Sequence, residues 1–461
     1  MLKLPESFIA DLVQAVGAEH VRGDPSSLNA YAADALGQAH AADLLVIPGS
    51  TFEIAAVAQL CNEHRVPLVV RGAGTGYTGG AVPTRGGVLL SMERLNRIIE
   101  IDELNLIAIV EPNVITGHLQ RAVERVGLFY PPDPASLETS SIGGNVAECA
   151  GGPRAFKYGT TKRYVLALEA VLPTGEIVHT GSKAVKNVVG YDLTQLLVGS
   201  EGTLAIITRI TLRLVPKPPA RATLSAAFAD VRHAVDAVNT LIQRRVVPSA
   251  IELVDADSLR AVEMHIGRRV TPDGAHALLI VECDGTPAAV DEDLERVAAA
   301  CQDAGGLLVV RAATDAEREE LWRVRRQLSL ALRATGLMKI NHDVVVPRGR
   351  VPQLFDVIAD LKRRHTLRIA SFGHAGDGNI HVNLMVDPND HAERARAKQA
   401  ERELFERVVA LEGSISGEHG IGFAKAQYLT LELSPDVIAL MKRLKTAFDP
   451  NDILNPGKIF P

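Results

Sequence analysis

Short apolar runs separated by glycine- and proline-rich breaks divide the first half of the chain into alternating strands and helices. Asp43 to Pro48 reads as a buried strand running into a turn, residues 51–64 carry helical spacing, and Arg65-Val-Pro-Leu-Val-Val-Arg71 is a β-branched strand that opens onto a glycine loop. This order predicts an α/β arrangement at the start of the chain. Further strands fit at 87–91, 106–111, 165–172 and 204–214, and residues 5–35 read as short helices without chemistry. Pro216-Lys-Pro-Pro219 punctuates the pattern and marks the start of a second, α+β domain. There the pattern predicts about two strand-plus-helix units, with helices near 230–245, 288–304, 315–335 and 350–364 and strands such as Ala277 to Cys283 between them. Acidic and basic residues alternate from His391 to Leu411, which reads as a solvated helix face with no chemistry assigned.

A chain of 461 residues exceeds what one hydrophobic core supports, so at least two domains are expected. The net charge of −6 gives no general attraction to nucleic acid. Met1-Leu-Lys-Leu-Pro-Glu-Ser-Phe-Ile9 interrupts its apolar residues too often for a signal-peptide core, and no run of 18 apolar residues follows. A cytoplasmic protein is expected, with membrane attachment only through a partner. Cys61, Cys149, Cys283 and Cys301 form no C-x-x-C pair, which argues against a disulfide framework and an iron–sulfur cluster in this chain.

Arg71-Gly-Ala-Gly-Thr-Gly-Tyr-Thr-Gly-Gly80 contains a formal G-x-G-x-x-G directly after a strand. A dinucleotide fold of the Rossmann kind needs a helix next, but Ala81-Val-Pro-Thr-Arg-Gly-Gly87 is rich in helix breakers. The remaining reading is a loop whose backbone N–H groups form a nest for a diphosphate; a tight turn made for packing is the competing one. Tyr130-Pro-Pro-Asp-Pro-Ala-Ser-Leu-Glu-Thr-Ser-Ser-Ile-Gly-Gly-Asn145, Gly151-Gly152, Tyr158-Gly159 and Gly199-Ser-Glu-Gly-Thr203 extend the series. Together these segments suit a large, polar, extended ligand with a flat ring.

Ser371-Phe-Gly-His-Ala-Gly-Asp-Gly-Asn-Ile-His-Val-Asn383 concentrates imidazole, carboxylate and amide groups, and Ser416-Gly-Glu-His-Gly-Ile-Gly422 adds a glutamate and a third histidine. Two histidines and a glutamate can hold a divalent metal with an open position, leaving one histidine to move protons. Gly376 and Gly378 permit a hairpin that returns His374 and His381 to one point, with Asp377 and Asn379 bracing the turn. Buried hydrogen-bonded histidines are the competing reading. Glu418 and His419 face opposite ways in an extended strand, so Gly417 and Gly420 must bend the chain if both serve one site. Asp315 to Gln327 reads as a charged amphipathic helix whose arginines can simply be solvated, whereas Lys339 lies among apolar residues where an unpaired charge is costly.

The loop at 71–80, the Pro-Pro-Asp-Pro turn with Ile142-Gly-Gly-Asn-Val-Ala-Glu148, Gly199-Ser-Glu-Gly-Thr203, the histidine loop and Leu454-Asn-Pro-Gly-Lys458 resemble, in the same order, the FAD-linked 2-hydroxy-acid dehydrogenases. That family includes the flavin subunit of glycolate oxidase, D-lactate dehydrogenases and D-2-hydroxyglutarate dehydrogenases. The resemblance implies an α+β fold, with a two-part FAD-binding domain of the vanillyl-alcohol-oxidase (PCMH) type at 1–219 and 411–461 and an inserted substrate cap at 220–410. It implies FAD held non-covalently, since Gly72 to Gly80 has no histidine to carry a flavin. By similarity, Arg71, Gly72, Ala73, Gly74, Thr75, Gly76, Tyr77, Thr78 and Gly79 would hold the diphosphate. Pro132, Asp133, Ser136, Thr139, Gly143, Gly144, Asn145, Gly151, Tyr158, Glu201, Gly202, Ile206 and Asn455 would line the rest of the flavin.

The same resemblance implies His374, His381 and Glu418 as ligands of a divalent metal, zinc or manganese, and His419 as the base. Arg325, Ser329, Lys339 and Asn383 would bind substrate, with Arg323 and Arg326 as neighbours into which the Arg325 assignment can slip. The implied reaction is oxidation of a D-2-hydroxy acid, glycolate or D-lactate, to the 2-oxo acid. D-2-hydroxyglutarate is the alternative substrate and would need a further cation, from Arg333 or Arg368. The implied electron acceptor is a quinone, an electron-transfer flavoprotein or an iron–sulfur partner subunit, and the chain can form a homodimer. Two other readings stand beside this one: a flavin subunit inactive without its complex, and a non-catalytic metal- or nucleotide-binding protein.

Overall fold

The computed structural model describes residues 4–461, so residues 1–3 of the segment judged too broken for a signal-peptide core lie outside the described residues. The chain divides into two compact units. The first comprises Met1–Gly151, Thr160–Lys217 and Glu418–Pro461, and the second Gly152–Gly159 and Pro218–Gly417. One break falls within Pro216-Lys-Pro-Pro219, but two short segments depart from the expected partition. Gly152–Gly159 joins the second unit because the Tyr158 hydroxyl donates to Asp284 Oδ2 at 2.6 Å and Lys157 pairs with the same carboxylate. Residues 411–417 stay there because Ser414 N donates to Val345 O at 2.8 Å and Gly417 N to Asp343 Oδ2 at 2.9 Å.

In the first unit, strands β1 (Val21–Arg22), β2 (Leu44–Val46), β3 (Leu68–Arg71) and β4 (Val88–Ser91) form a sheet in the order β1-β2-β4-β3, with β2 and β3 parallel to β4. Helices Glu6–Val16 and Thr51–His64 cover it, burying Phe8, Leu12, Ile54, Val57 and Cys61 with Val46, Leu68 and Leu90. Ser50 starts the second of these helices by accepting the Glu53 N–H. The carboxyl-terminal segment is stitched to β3: Leu68 N donates to Ile453 O at 2.7 Å and Asn455 N to Leu68 O at 2.8 Å.

A second, antiparallel sheet in this unit comprises β5 (Ile98–Asp102), β6 (Ile107–Val110), β8 (Val165–Val171), β9 (Ile177–Gly181) and β10 (Ile206–Arg213), ordered β5-β6-β10-β8-β9. Strand β7 (Leu128–Phe129) pairs with β11 (Val215–Pro216). The edge strands β5 and β9 have no counterpart in the sequence pattern, since their partly exposed residues lack an apolar run.

The second unit is built on one antiparallel sheet: β12 (Ala220–Phe228), β13 (Ala250–Asp255), β14 (Ala277–Gly285), β15 (Leu308–Arg311), β16 (Met338–Val345), β17 (Arg368–His374) and β18 (Asn379–Val386). Their order is β15-β12-β14-β13-β17-β18-β16, which replaces the expected two strand-plus-helix units by seven strands. The β17–β18 hairpin is the one that Gly376 and Gly378 permit, whereas β16, whose buried positions include His342 and Asp343, has no counterpart in the sequence pattern. Helices Ala256–Ile266 and Asp315–Ala334 pack on the face carrying Val254, Ile280, Phe372 and Met385. Helix His391–Ala410 is not wholly solvated: Ala397, Ala400, Leu404, Phe405 and Val408 form a buried stripe at helical spacing.

Candidate active site

No helix follows the first glycine loop. After β3 the chain turns through residues 72–87 into β4. Gly74 and Gly79 hold φ of +68° and +78°. The consecutive N–H groups of Gly74, Thr75 and Gly76 have no hydrogen-bond partner among the described residues, so three donors remain for an anion. The Arg71 side chain crosses Gly74, where an added Cβ would strike its guanidinium.

Two residues that the sequence reading passed over hold this loop. Asp34, in the stretch read as without chemistry, is buried and accepts the Gly79 N–H at 2.9 Å, and burial raises its carboxyl above the usual range. Ser141 caps helix Ile142–Glu148, and its Oγ accepts from Gly144 N and from Ala73 N, both at 3.3 Å. One hydroxyl thus ties the two glycine segments together. The signal available in the sequence is a serine, a residue type that caps helices, directly before Ile-Gly-Gly-Asn. Asn145 is buried and donates to Thr116 Oγ1 at 2.7 Å, and Gly143 packs so closely on Pro112 that a side chain there would collide.

Other expected flavin residues are occupied within the protein. Glu201 accepts Ile421 N at 2.8 Å and Gly422 N at 2.6 Å, and Asn455 Nδ2 donates to Gly80 O at 2.9 Å and Glu201 O at 2.7 Å. These two side chains clamp the turn after Glu418 and the end of the glycine loop. Pro132 O accepts from Gln120 Nε2 at 2.8 Å beside the buried Asp133, while Ser136 and Thr139 close a local turn. Gly151 leaves room for Glu418, whose Oε2 would lie 2.7 Å from an added Cβ, and Gly202 has φ +64°. Ile206 places its side chain in the apolar core, so only its backbone can face a ligand. Tyr158, expected beside the cofactor, lies in the second unit with its hydroxyl on Asp284.

Glu418 and His419 open the last segment of the first unit. The His419 ring stacks on Tyr77 with centroids 5.0 Å apart, its carbonyl accepts from Thr78 Oγ1 at 3.2 Å, and its Nε2 lies 3.9 Å from Glu418 Oε1. Phe423 N donates to Thr78 O at 3.1 Å, and Phe423 fills the space a Cβ at Gly79 would need. The proposed base and the first glycine loop, 341 residues apart, are therefore packed together.

In the second unit the hairpin β17–β18 brings His374 and His381 together, with ring centroids 5.3 Å apart and planes near perpendicular. The turn is braced differently from the sequence reading. Asn379 N donates to Asp377 Oδ1 at 3.3 Å, but the Asn379 side chain bonds Asp343 Oδ1 at 2.6 Å and Val344 O at 2.9 Å, securing the hairpin to β16. Sheet register then sets the polar strip: Glu252 stands opposite His374, Phe372 opposite His381, and Asp343 opposite His381 from the other side. Asp343 Oδ1 lies 3.7 Å from His381 Nδ1.

Of the three neighbouring arginines, Arg325 is buried, while Arg323 and Arg326 are exposed in ion pairs with Glu320 and Glu319. Arg325 pairs with Glu252 through Nε and lies over Phe372, 4.8 Å from the ring centroid. Burial alone would raise the Glu252 carboxyl, but Arg325 and His374 outweigh it and hold it at about 2. Ser329, one helical turn on, accepts from Lys339 Nζ at 2.6 Å. Burial, with Arg333 and Arg325 nearby, lowers the Lys339 ammonium to about 7. Asn383 is fully buried and its amide is used by Ala370 O, His381 O and Asn341 Nδ2. Arg333 and Arg368 are exposed, and Arg368 lies 3.8 Å from Glu393.

Residues 217–459 match the family described as FAD linked oxidases, C-terminal domain, and residues 42–181 match the family described as FAD binding domain. The chain belongs to the FAD-linked oxidases. Glycolate oxidase subunit GlcD of Bacillus subtilis (strain 168) is 42% identical over 450 residues, covering 97% of this chain and 96% of that one. D-lactate dehydrogenase of Anaerostipes hadrus is 38% identical over 426 residues, covering 90% and 89%. Among solved structures, p-cresol methylhydroxylase superposes with a TM-score of 0.79 at 20% identity over 98% of this chain and 96% of that one. 4-Ethylphenol oxidase from Gulosibacter chungangensis gives 0.79 at 21% identity over 99% and 97%. The fold of this FAD-linked oxidase is thus the α+β, PCMH type. It is an oxidoreductase of the glycolate oxidase and D-lactate dehydrogenase kind. The donor row at Gly74 to Gly76 suits a diphosphate, so the first unit fits FAD. No helix among the described residues is long and apolar enough to cross a membrane.

Proposed function

We propose that the protein oxidises a small D-2-hydroxy acid, glycolate or D-lactate, to the 2-oxo acid. The observation that carries this reading is the buried network in which one carboxylate, Glu252, holds both the Arg325 guanidinium and the His374 imidazole. A carboxylate-binding cation and a metal-binding imidazole are what an α-hydroxy acid requires. Two of the similar proteins are named for glycolate and D-lactate, which differ by one methyl group.

In this reading Arg325 and Lys339 bind the substrate carboxylate, with Ser329 orienting the ammonium. His419, steadied by Tyr77, accepts the hydroxyl proton. His374 and His381, with Glu418, which follows Gly417 directly in the chain, are the proposed ligands of zinc or manganese. His374 Nδ1 lies 2.5 Å from Glu252 Oε1, the carboxylate–histidine pairing usual behind metal-ligating imidazoles. When bound, FAD would supply a hydride acceptor and the cation would supply Lewis acidity at the substrate hydroxyl. Asn383 keeps the strand beside His381 in register rather than offering a free amide. A dicarboxylate substrate is less favoured, since Arg333 and Arg368 face solvent.

The second proposal concerns assembly. Two of the similar proteins are named as glycolate oxidase subunits, so electrons would leave through a partner, an iron–sulfur subunit, an electron-transfer flavoprotein or a quinone site. Cytoplasmic residence belongs to the same proposal. The test is dye reduction by glycolate, D- and L-lactate and D-2-hydroxyglutarate, with and without a chelator. Turnover with the short D-acids, abolished by chelation and restored by Mn²⁺ or Zn²⁺, is expected. Turnover indifferent to chelation would remove the metal from the proposal.

A further inference from the structure

Five buried side chains of the second unit close a ring. Glu252 Oε1 meets His374 Nδ1; His374 lies edge-on to His381; His381 packs on Phe372 with centroids 5.4 Å apart; the Arg325 guanidinium covers Phe372; and Arg325 Nε returns to Glu252 Oε2. Their relative exposures run from 0% for Glu252 to 7% for His381, so water does not compete for these contacts. Glu252 comes from β13, Arg325 from helix Asp315–Ala334, and the other three from the β17–β18 hairpin. A single carboxylate is thus the joint between three elements.

We infer that Glu252 is a positioning residue that sets the tautomer of the metal-binding imidazole and the direction of the carboxylate-binding guanidinium at once. The inference rests on the functional reading above and deepens it. A carboxylate offers two acceptor oxygens, and each here has one donor: His374 carries its proton on Nδ1, and the Arg325 guanidinium is held by its Nε edge. A glutamine in the same place keeps one acceptor and turns two N–H donors toward the other partner. With its oxygen on the charged guanidinium, the amide donates to His374 Nδ1 and moves the imidazole proton to Nε2, where it opposes a cation, while the neutral oxygen holds Arg325 less firmly than the carboxylate did.

The experiment uses the flavin-loaded full-length protein. Mn²⁺ affinity is measured calorimetrically, and KM and kcat for D-lactate are measured at saturating Mn²⁺, for the wild type and Glu252→Gln. The expected result is Mn²⁺ affinity lower by about 10- to 100-fold, the usual effect of losing such an outer partner, with KM raised and kcat changed less. Should Glu252→Gln be poorly folded, Glu252→Gln/Arg325→Met removes the unpaired buried cation and is expected to show the same Mn²⁺ deficit. A fall in melting temperature with Mn²⁺ affinity and KM both within twofold of wild type would reduce Glu252 to a structural residue and overturn the inference while leaving the metal reading intact. Failure of the wild type to bind Mn²⁺ would overturn both.

Discussion

The imidazole of His419 lies nearly parallel to the phenol ring of Tyr77, with 21° between their planes. Tyr77 belongs to the glycine loop, whose free N–H groups suit a diphosphate, so one residue pair links the cofactor loop to the proposed base. His419→Asn is expected to lower the rate of flavin reduction by about 100-fold or more while the protein stays yellow. Tyr77→Phe keeps the stack and is expected to retain most activity. Rapid-reaction absorbance and flavin content check the two variants side by side.

Gly79 combines a positive φ with the Phe423 ring packed where a side chain would begin. Gly79→Ala is expected to displace the turn after Glu418 and release flavin, because backbone strain of about 1 to 2 kcal/mol adds to a collision that cannot relax by rotamer change. Flavin retained through gel filtration at wild-type stoichiometry would contradict this.

Glu201 holds two backbone N–H groups of the 421–422 turn from a buried position. Glu201→Gln keeps one acceptor and places the donor NH2 of an amide against the second N–H, so a loss of about 1 to 3 kcal/mol in unfolding free energy is expected. Denaturant unfolding of the flavin-loaded protein provides the number.

Lys339 titrates near 7 because it is sequestered beside two arginines. Its charge is present below that pH and lost above it, while the substrate carboxylate stays ionised, so KM for D-lactate is expected to climb about tenfold per pH unit above 7 until the other cations dominate. Lys339→Met should flatten the profile. The same depressed value makes the unfolded chain bind more protons between about 7 and 10.5, so this lysine makes stability rise with pH across that window.

What could be seen in the sequence followed from local density. Gly74, Gly76 and Gly79, or His374 and His381, declare themselves because glycine and imidazole cluster within a few residues. Helix 51–64 and the break at Pro216 to Pro219 were legible from periodicity and proline. The supporting residues were not. Glu252 sits in an apolar strand and meets partners 73 and 122 residues away, so only sheet register reveals it. Asp34 and Ser141 are similar: each completes a loop fixed elsewhere in the chain. Strand β16 was hidden because its buried positions include His342 and Asp343, whereas Gly376 and Gly378 signalled the β17–β18 hairpin. Arg325 was distinguishable from Arg323 and Arg326 only by burial.

The most direct test of the central claim is anaerobic single-turnover mixing of the flavin-loaded protein with D-lactate or glycolate, using substrate protiated and deuterated at C2. The account predicts bleaching of the oxidised flavin spectrum, slowed several-fold by deuterium. A flavin that remains oxidised with every 2-hydroxy acid tried, in the presence of added Mn²⁺ or Zn²⁺, would contradict it.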